Sequence, residues 1–321
     1  MIKLAIIGTG RWGMNHLKTS ILLLEPSDIT VCDANPKTRE KISAINENIK
    51  FTTEISDILN DPKINACIIS TPAETHYEIA KNCLNAKKNC LVEKPITLYS
   101  YEAEELLAIS QKFNLKLMVG HVLLYHPALQ KIKEEVVNGK IGKLQYIYSN
   151  RLNLGAIRSE ENILWSFAPH DISIIQFLVD NNPTKIFAKG LDILQNNIED
   201  TTITYLEYPN NINAHIFVSW LHPFKEQRMV VIGEKGMYVF EDSLKTEKLK
   251  YYEKGFRINN GIIEKFENDY VPINYEEKSP LTEEQRHFFY CIEKNVSPLT
   301  DGKHALDVLR ILEQATKSMK N

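Results

Sequence analysis

The chain has 321 residues, more than one hydrophobic core usually organises, so two domains are expected. With 43% apolar and 25% charged residues it lacks the low hydrophobicity that leaves chains disordered. A net charge of −3 gives no basic footprint for nucleic acid or an anionic membrane surface, and no apolar run approaches the ~20 residues that span a bilayer, so neither is an expected partner.

Five scattered cysteines, Cys32, Cys67, Cys83, Cys90 and Cys291, form no CxxC pair, which implies reduced thiols. The chain runs from Met1 into Lys3-Leu4-Ala5-Ile6-Ile7, a strand rather than a leader with a basic start and a long apolar core. A cytoplasmic location is the expectation.

Through residue 121, short apolar runs alternate with amphipathic stretches, as in βαβ units around a parallel sheet. Strands are predicted at 4–7, 29–33, 66–70, 89–93 and 116–119, near-continuously apolar as strands covered on both faces should be. Helices are predicted between them at 12–24, 36–46, 75–86 and 100–113.

The first strand ends in Gly8-Thr9-Gly10-Arg11-Trp12-Gly13 and opens a helix, and Asp33 stands at the end of the second strand. In that context the glycine string is a dinucleotide fingerprint. Gly8 permits a tight turn, Gly10 lets backbone N–H groups approach a pyrophosphate, and Gly13 allows close helix–strand packing, with the helix N-terminus supplying positive potential. The Asp33 carboxylate suits ribose hydroxyls and repels a 2′-phosphate, so NAD is expected over NADP, although Lys37 and Arg39 stand close by.

Two further strand ends carry polar residues at the ligand-binding edge of an open α/β sheet. At Ser70-Thr71-Pro72 with His76, backbone contact to a cofactor and a plain strand terminator before a helix are both open. At Glu93-Lys94-Pro95, Lys94 is either a solvated lysine or, its pKa lowered near a cationic nicotinamide, a base for a hydroxyl proton.

After 121 the pattern changes to a helix at 127–138 and then to β-branched and aromatic runs at 143–154, 184–194, 201–208, 212–220, 227–233 and 237–241, separated by Asn, Pro and Gly turns. The fold class is thus an α/β Rossmann domain, 1–121, followed by an α+β domain, 122–321, with a large, mostly antiparallel, open-faced sheet for substrate binding and oligomerisation. Helices near 282–294 and 303–319 close the chain and are expected to pack back towards the first domain. A helix at 169–179 interrupts the strands, with Pro169 in its first turn; its positive end would favour Asp171 and keep His170 neutral, although His170 also shares a face with Ser173, Ile174 and Phe177 and suits simple packing. Arg151, Asn153 and Arg158 lie along and just after a strand, where forked donors could bind carboxylate or phosphate oxygens and where solvated charges are also common. No HxxxH, HExxH or cysteine cluster marks a metal site, and no GxSxG a hydrolase.

In this order, the glycine turn, Asp33, Thr71-Pro72 with His76, Glu93-Lys94-Pro95, Val119-Gly120-His121 and the late His170, the chain resembles the Gfo/Idh/MocA family of NAD(P)-dependent sugar and cyclitol oxidoreductases over essentially its whole length. The resemblance implies that Lys94 and His170 act around the reacting hydroxyl. It implies cofactor contacts from Gly8 to Gly13 (Thr9, Arg11 and Trp12 included), Asp33, Ser70, Thr71, Pro72, His76, Glu93, Lys94 and His121. Substrate contacts would come from Lys94, Tyr125, Arg151, Asn153, Arg158, Trp165 and His170. The stretches 120–128, 151–155, 165–171 and 298–302 look most like nucleotide-sugar members, which oxidise a UDP-sugar at carbon 3 of the hexose ahead of a partner aminotransferase serving lipid A or surface-polysaccharide synthesis. Two departures stand out: Ser166 replaces the Asp that many members place four residues before the late His, and Leu124 replaces a common Arg. The proton then falls to Lys94 and His170, or to them with Asp171 or Glu93.

The expected activity is NAD-dependent oxidation of a secondary hydroxyl of a sugar, a UDP-N-acetylhexosamine or its uronic acid by the narrower likeness. A free cyclitol or hexose dehydrogenase and a non-catalytic NAD(H) sensor are the alternatives. Apolar residues on the uncovered sheet face would pair copies into a homodimer or homotetramer.

Overall fold

A computed structural model describes residues 1–320. The chain divides into two compact units, Met1–Tyr125 with Lys278–Leu309, and His126–Glu277 with the chain from Arg310.

The first unit begins β1 (Leu4–Ile7), α1 (Arg11–Ser20), β2 (Ile29–Cys32), α2 (Thr38–Ile45), β3 (Lys50–Thr52), α3 (Ile55–Asn60), β4 (Ala66–Ile69), α4 (His76–Asn85), β5 (Asn89–Val92), α5 (Ser100–Lys112) and β6 (Leu117–Val119). Its six strands are all parallel, in the order β3-β2-β1-β4-β5-β6. Every residue of β1 and β4 is buried, which is why these segments are apolar throughout instead of alternating. The strand order reverses between β1 and β4, so the carboxyl ends of these strands flank the crevice where open α/β sheets take their ligands. Neither β3 nor α3 was expected; three and six residues are too few for a period to register.

The second unit holds α6 (Pro127–Val137), β7 (Leu144–Leu154), α7 (Ile163–Val179), β8 (Lys185–Leu191), β9 (Thr201–Glu207), β10 (Asn213–Ser219), β11 (Leu221–Gly233), β12 (Met237–Glu241), β13 (Leu249–Asn259) and β14 (Ile262–Pro272). The eight strands form one sheet, β14-β13-β12-β11-β7-β10-β9-β8, antiparallel except where β10 meets β7. Alternation sorts its faces. Thr202, Thr204 and Leu206 of β9 are buried, while Ile203 and Tyr205 between them are exposed. The closing helices are α8 (Pro280–Lys294) and α9 (Gly302–Met319). All of α8 belongs to the first unit, where Phe288 and Phe289 join the core of Leu4, Ile6 and Leu17.

One expectation is corrected here. The helix predicted from Pro169 begins at Ile163, capped by Asn162, whose side chain accepts the Trp165 N–H at 3.2 Å, and Pro169 lies inside it. The apolar residues 163–168 continue the buried face, and that burial outweighs the N–H that Pro169 lacks. Helix-end potential fades within a turn, so it reaches neither His170 nor Asp171.

Candidate functional site

The glycine turn shows three different reasons for glycine. Gly8 has φ +84°, and a Cβ there would lie 2.7 Å from Thr71 Cγ2. A Cβ on Gly13 would lie 2.0 Å from the Gly8 carbonyl oxygen and 2.7 Å from Ser70 Oγ, the hydroxyl that donates to that same carbonyl at 2.8 Å. A Cβ on Gly10 would meet nothing within 4 Å, and no side chain caps the helix that Gly10 opens. The N-terminal end of α1 thus has no side-chain cap, with Thr9 half-buried and Arg11 and Trp12 exposed beside it.

Asp33 Oδ2 accepts the Thr9 N–H at 2.8 Å and the Thr9 hydroxyl, and Oδ1 accepts the Asn35 N–H at 2.9 Å. Burial opposes the charged carboxylate, yet these hydrogen bonds together outweigh it and hold the carboxyl below its usual range. A carboxylate has about four lone-pair sites, so capacity remains for a ribose hydroxyl. Open space at Gly10, uncapped N–H groups and this carboxylate fit a dinucleotide. His76, by contrast, is buried, with Nδ1 2.8 Å from the Pro95 carbonyl oxygen and Nε2 2.9 Å from that of Thr71. The ring straps the 70–72 loop to the turn after Lys94 and presents neither nitrogen outward, while Pro72 is exposed.

At that turn Lys94 is half-buried and Glu93 buried. Glu93 Oε1 lies 2.7 Å from His16 Nε2, and its Oε2 accepts the Lys94 backbone N–H at 3.2 Å. His121 is buried with Nδ1 lacking a hydrogen-bond partner, and its ring meets that of His304 edge-on at 5.4 Å. Burial first, then the positive charges of His304 and Lys94, push its pKa well below the usual range, so His121 is uncharged. Tyr125 does not project into a site; its ring is buried in the core and its hydroxyl pairs with Thr300 Oγ1 at 3.1 Å.

In the second unit, Arg151 spends its fork within the protein. Its Nε donates to Asp171 Oδ2 at 2.8 Å and its Nη2 to Oδ1 at 3.1 Å, and Ser149 Oγ donates to Oδ1 at 2.6 Å. Asp171 is thereby committed to Arg151 and Ser149, whereas the Arg151 guanidinium, with five N–H donors, gives only two of them to Asp171. Trp165 Nε1 donates to Thr316 Oγ1 at 2.9 Å. Arg158 is exposed and pairs with Glu161, Asn153 has a buried Oδ1 without a hydrogen-bond partner, and His170 is half-buried on α7. Among the described residues no cluster of three or more His, Cys, Asp or Glu could hold a metal ion, and no helix is long and apolar enough to cross a membrane.

Sequence reasoning missed His16, Glu284 and Gln285 behind Glu93. The available signal was polar residues on buried helical faces: His16 with Gly13, Leu17 and Ser20 on α1, and Glu284 and Gln285 with Phe288 on α8.

Comparison with known proteins gives a consistent result. Residues 2–121 match the family model described as an oxidoreductase family with an NAD-binding Rossmann fold, and residues 129–239 match the GFO/IDH/MocA C-terminal domain. The scyllo-inositol 2-dehydrogenase (NAD(+)) of Bacillus subtilis is 26% identical over 334 residues, covering 100% of this chain and 94% of its own. The UDP-N-acetylglucosamine 3-dehydrogenase of Acidithiobacillus ferrooxidans is 25% identical over 255 residues, 79% of this chain and 78% of its own. The solved structure of that enzyme superposes with a TM-score of 0.83 at 21% identity, covering 99% and 97% of the two chains.

Proposed function

The chain belongs to the Gfo/Idh/MocA family of NAD-binding oxidoreductases, and from that membership we propose that it oxidises the carbon-3 hydroxyl of a UDP-N-acetylhexosamine or its uronic acid. The 3-keto sugar would feed a transamination step in lipid A or surface-polysaccharide synthesis. The observation that carries the reading is the Glu93-Lys94 turn, a half-buried amine at the carboxyl edge of a dinucleotide-binding sheet beside an uncharged imidazole.

Bound NAD+ supplies the acceptor for the hydride on the carbinol carbon. Lys94 takes the hydroxyl proton as the free amine, the form that a bound cationic nicotinamide ring would favour by like-charge repulsion, with His121 uncharged beside it. His170 holds the reacting hydroxyl. Ser166, where many relatives carry Asp, leaves this work to Lys94 and His170. Asp33 favours NAD by repelling a 2′-phosphate. Copies pair through the open face of the large sheet, where Phe187, Ile203 and Tyr205 are exposed.

A second reading, a cyclitol dehydrogenase, is favoured by the full-length likeness to the inositol enzyme. Titration with UDP alone separates the two. Calorimetric binding of UDP supports the nucleotide sugar; a chain that ignores UDP yet turns over scyllo-inositol is a cyclitol dehydrogenase.

A further inference from the structure

Behind the Glu93-Lys94 turn lies a buried polar cluster that the proposed reaction does not itself use. His16 and Ser20 of α1 and Glu284 and Gln285 of α8 are all fully buried. Buried polar groups are costly unless hydrogen-bonded, and here the partners fix the direction of the Gln285 amide and the His16 ring, while the Ser20 hydroxyl faces both the His16 backbone oxygen and the Gln285 amide oxygen. Gln285 Nε2 lies 3.0 Å from the backbone oxygen of His16, an atom that only accepts, so this end of the amide carries the N–H groups. The amide oxygen faces the Ser20 hydroxyl at 2.9 Å. The second N–H of Gln285 points at His16 Nδ1, also at 3.0 Å, so Nδ1 accepts and the ring proton sits on Nε2.

That Nε2–H donates to Glu93 Oε1 at 2.7 Å, and the other Glu93 oxygen accepts the Lys94 backbone N–H at 3.2 Å. The carboxylate packs against the backbone of Gly120, where a Cβ would stand only 3.0 Å from Oε2, so glycine leaves the space that Glu93 occupies. Glu284 adjoins the chain of hydrogen bonds without entering it. Neither of its oxygens has a hydrogen-bond partner. With the ring proton on Nδ1 instead, the Nε2 lone pair would oppose the Glu93 carboxylate, and the carboxylate would leave the position that holds the turn.

We propose that Gln285 is a positioning residue for Lys94: by setting the tautomer of His16 it aims an N–H at Glu93, and the carboxylate so held fixes the backbone from which Lys94 projects. The inference rests on the reading that Lys94 handles the hydroxyl proton.

The direct test is a two-bond proton–nitrogen correlation spectrum of the full chain labelled with ¹⁵N-histidine, with the His16 signal identified by its loss in His16→Gln. The expected result is a proton on Nε2 in the wild type; a proton on Nδ1 overturns the proposal, whether or not any variant of Gln285 folds. In kinetics with UDP-N-acetylglucosamine, its uronic acid and scyllo-inositol as probes, Gln285→Leu should lower kcat between about tenfold and about a hundredfold while the Kd for NADH changes by less than about threefold. His16→Gln offers Glu93 an amide N–H that needs no tautomer, so adding Gln285→Leu to it should cost no further rate. Gln285→Leu with wild-type kcat and only a lower unfolding midpoint would mean a purely structural role. If Lys94→Ala is inactive and Gln285→Leu fully active, this inference alone falls; if Lys94→Ala keeps the wild-type rate, the functional reading falls with it.

Discussion

Arg151 and Asp171 are joined by two hydrogen bonds, Nε to Oδ2 at 2.8 Å and Nη2 to Oδ1 at 3.1 Å, across the face of the large sheet that α7 covers. The Asp171 side chain is 2% exposed and the Arg151 side chain 12%. Deleting either partner strands a buried charge, so Arg151→Met or Asp171→Leu alone should cost about 3 kcal/mol or more in urea unfolding. The double substitution should cost less than the sum of the two. Additive losses would show that the pair is not coupled.

The glycine turn allows cofactor binding and folding to be separated. Gly10 has φ −61° and open space around it, so Gly10→Ala should leave stability within ~0.5 kcal/mol yet weaken NAD binding by about tenfold or more. Gly13→Ala drives a methyl into the Gly8 carbonyl and should cost about 1–3 kcal/mol of stability as well. Calorimetry of NAD binding beside thermal melts checks both. Unchanged NAD affinity in Gly10→Ala would remove the phosphate from this turn.

Glu284 gives the stability of the first unit a pH dependence whose sign is fixed. Burial first, then the charge of Glu93, push its carboxyl well above the ordinary 4.5, and Tyr125 is the other titratable group that feels it. Below about pH 4.5 the carboxyl is protonated both folded and unfolded. As pH rises further the unfolded chain ionises first, and stability falls by up to about 1.4 kcal/mol per pH unit until the raised folded pKa is passed. Glu284→Gln cannot ionise, so its stability relative to the wild type should grow from pH 5 towards neutrality. Parallel stability curves for the two proteins would place Glu284 in a polar environment and contradict this account.

Much of the fold was legible because the relevant patterns were long. The buried parallel strands wrote themselves as apolar runs, and Gly8 and Gly13 stood at their expected spacing because each meets a separate steric demand, while Gly10 stands in open space. β14 was missed because it is exposed almost throughout and carries no alternation of burial, and β13 because only Leu249 and Tyr251 at its start are buried. The start of α7 was missed because Pro169 was given its preferred place in a first turn, while the apolar stretch before it carried the helix further back. In the site, residues that end strands were visible one by one. Their partners were not: Asp171 for Arg151, and His16 and Gln285 for Glu93, are paired only by folding, since hydrogen bonds between distant segments leave no period in the sequence.

The central claim is that this chain transfers a hydride from a sugar hydroxyl to NAD+ with Lys94 and His170 managing the proton. The most direct measurement is the rise of NADH absorbance when the purified chain and NAD+ are mixed with UDP-N-acetylglucosamine, its uronic acid, scyllo-inositol and myo-inositol, repeated with Lys94→Ala and His170→Ala. An external oxidant that recycles NADH is included so that tightly held product does not hide turnover. The account predicts turnover with a UDP-sugar, lost by at least about a hundredfold in both variants while NAD still binds. NAD binding without turnover of any of these compounds, or full activity in Lys94→Ala, would contradict it.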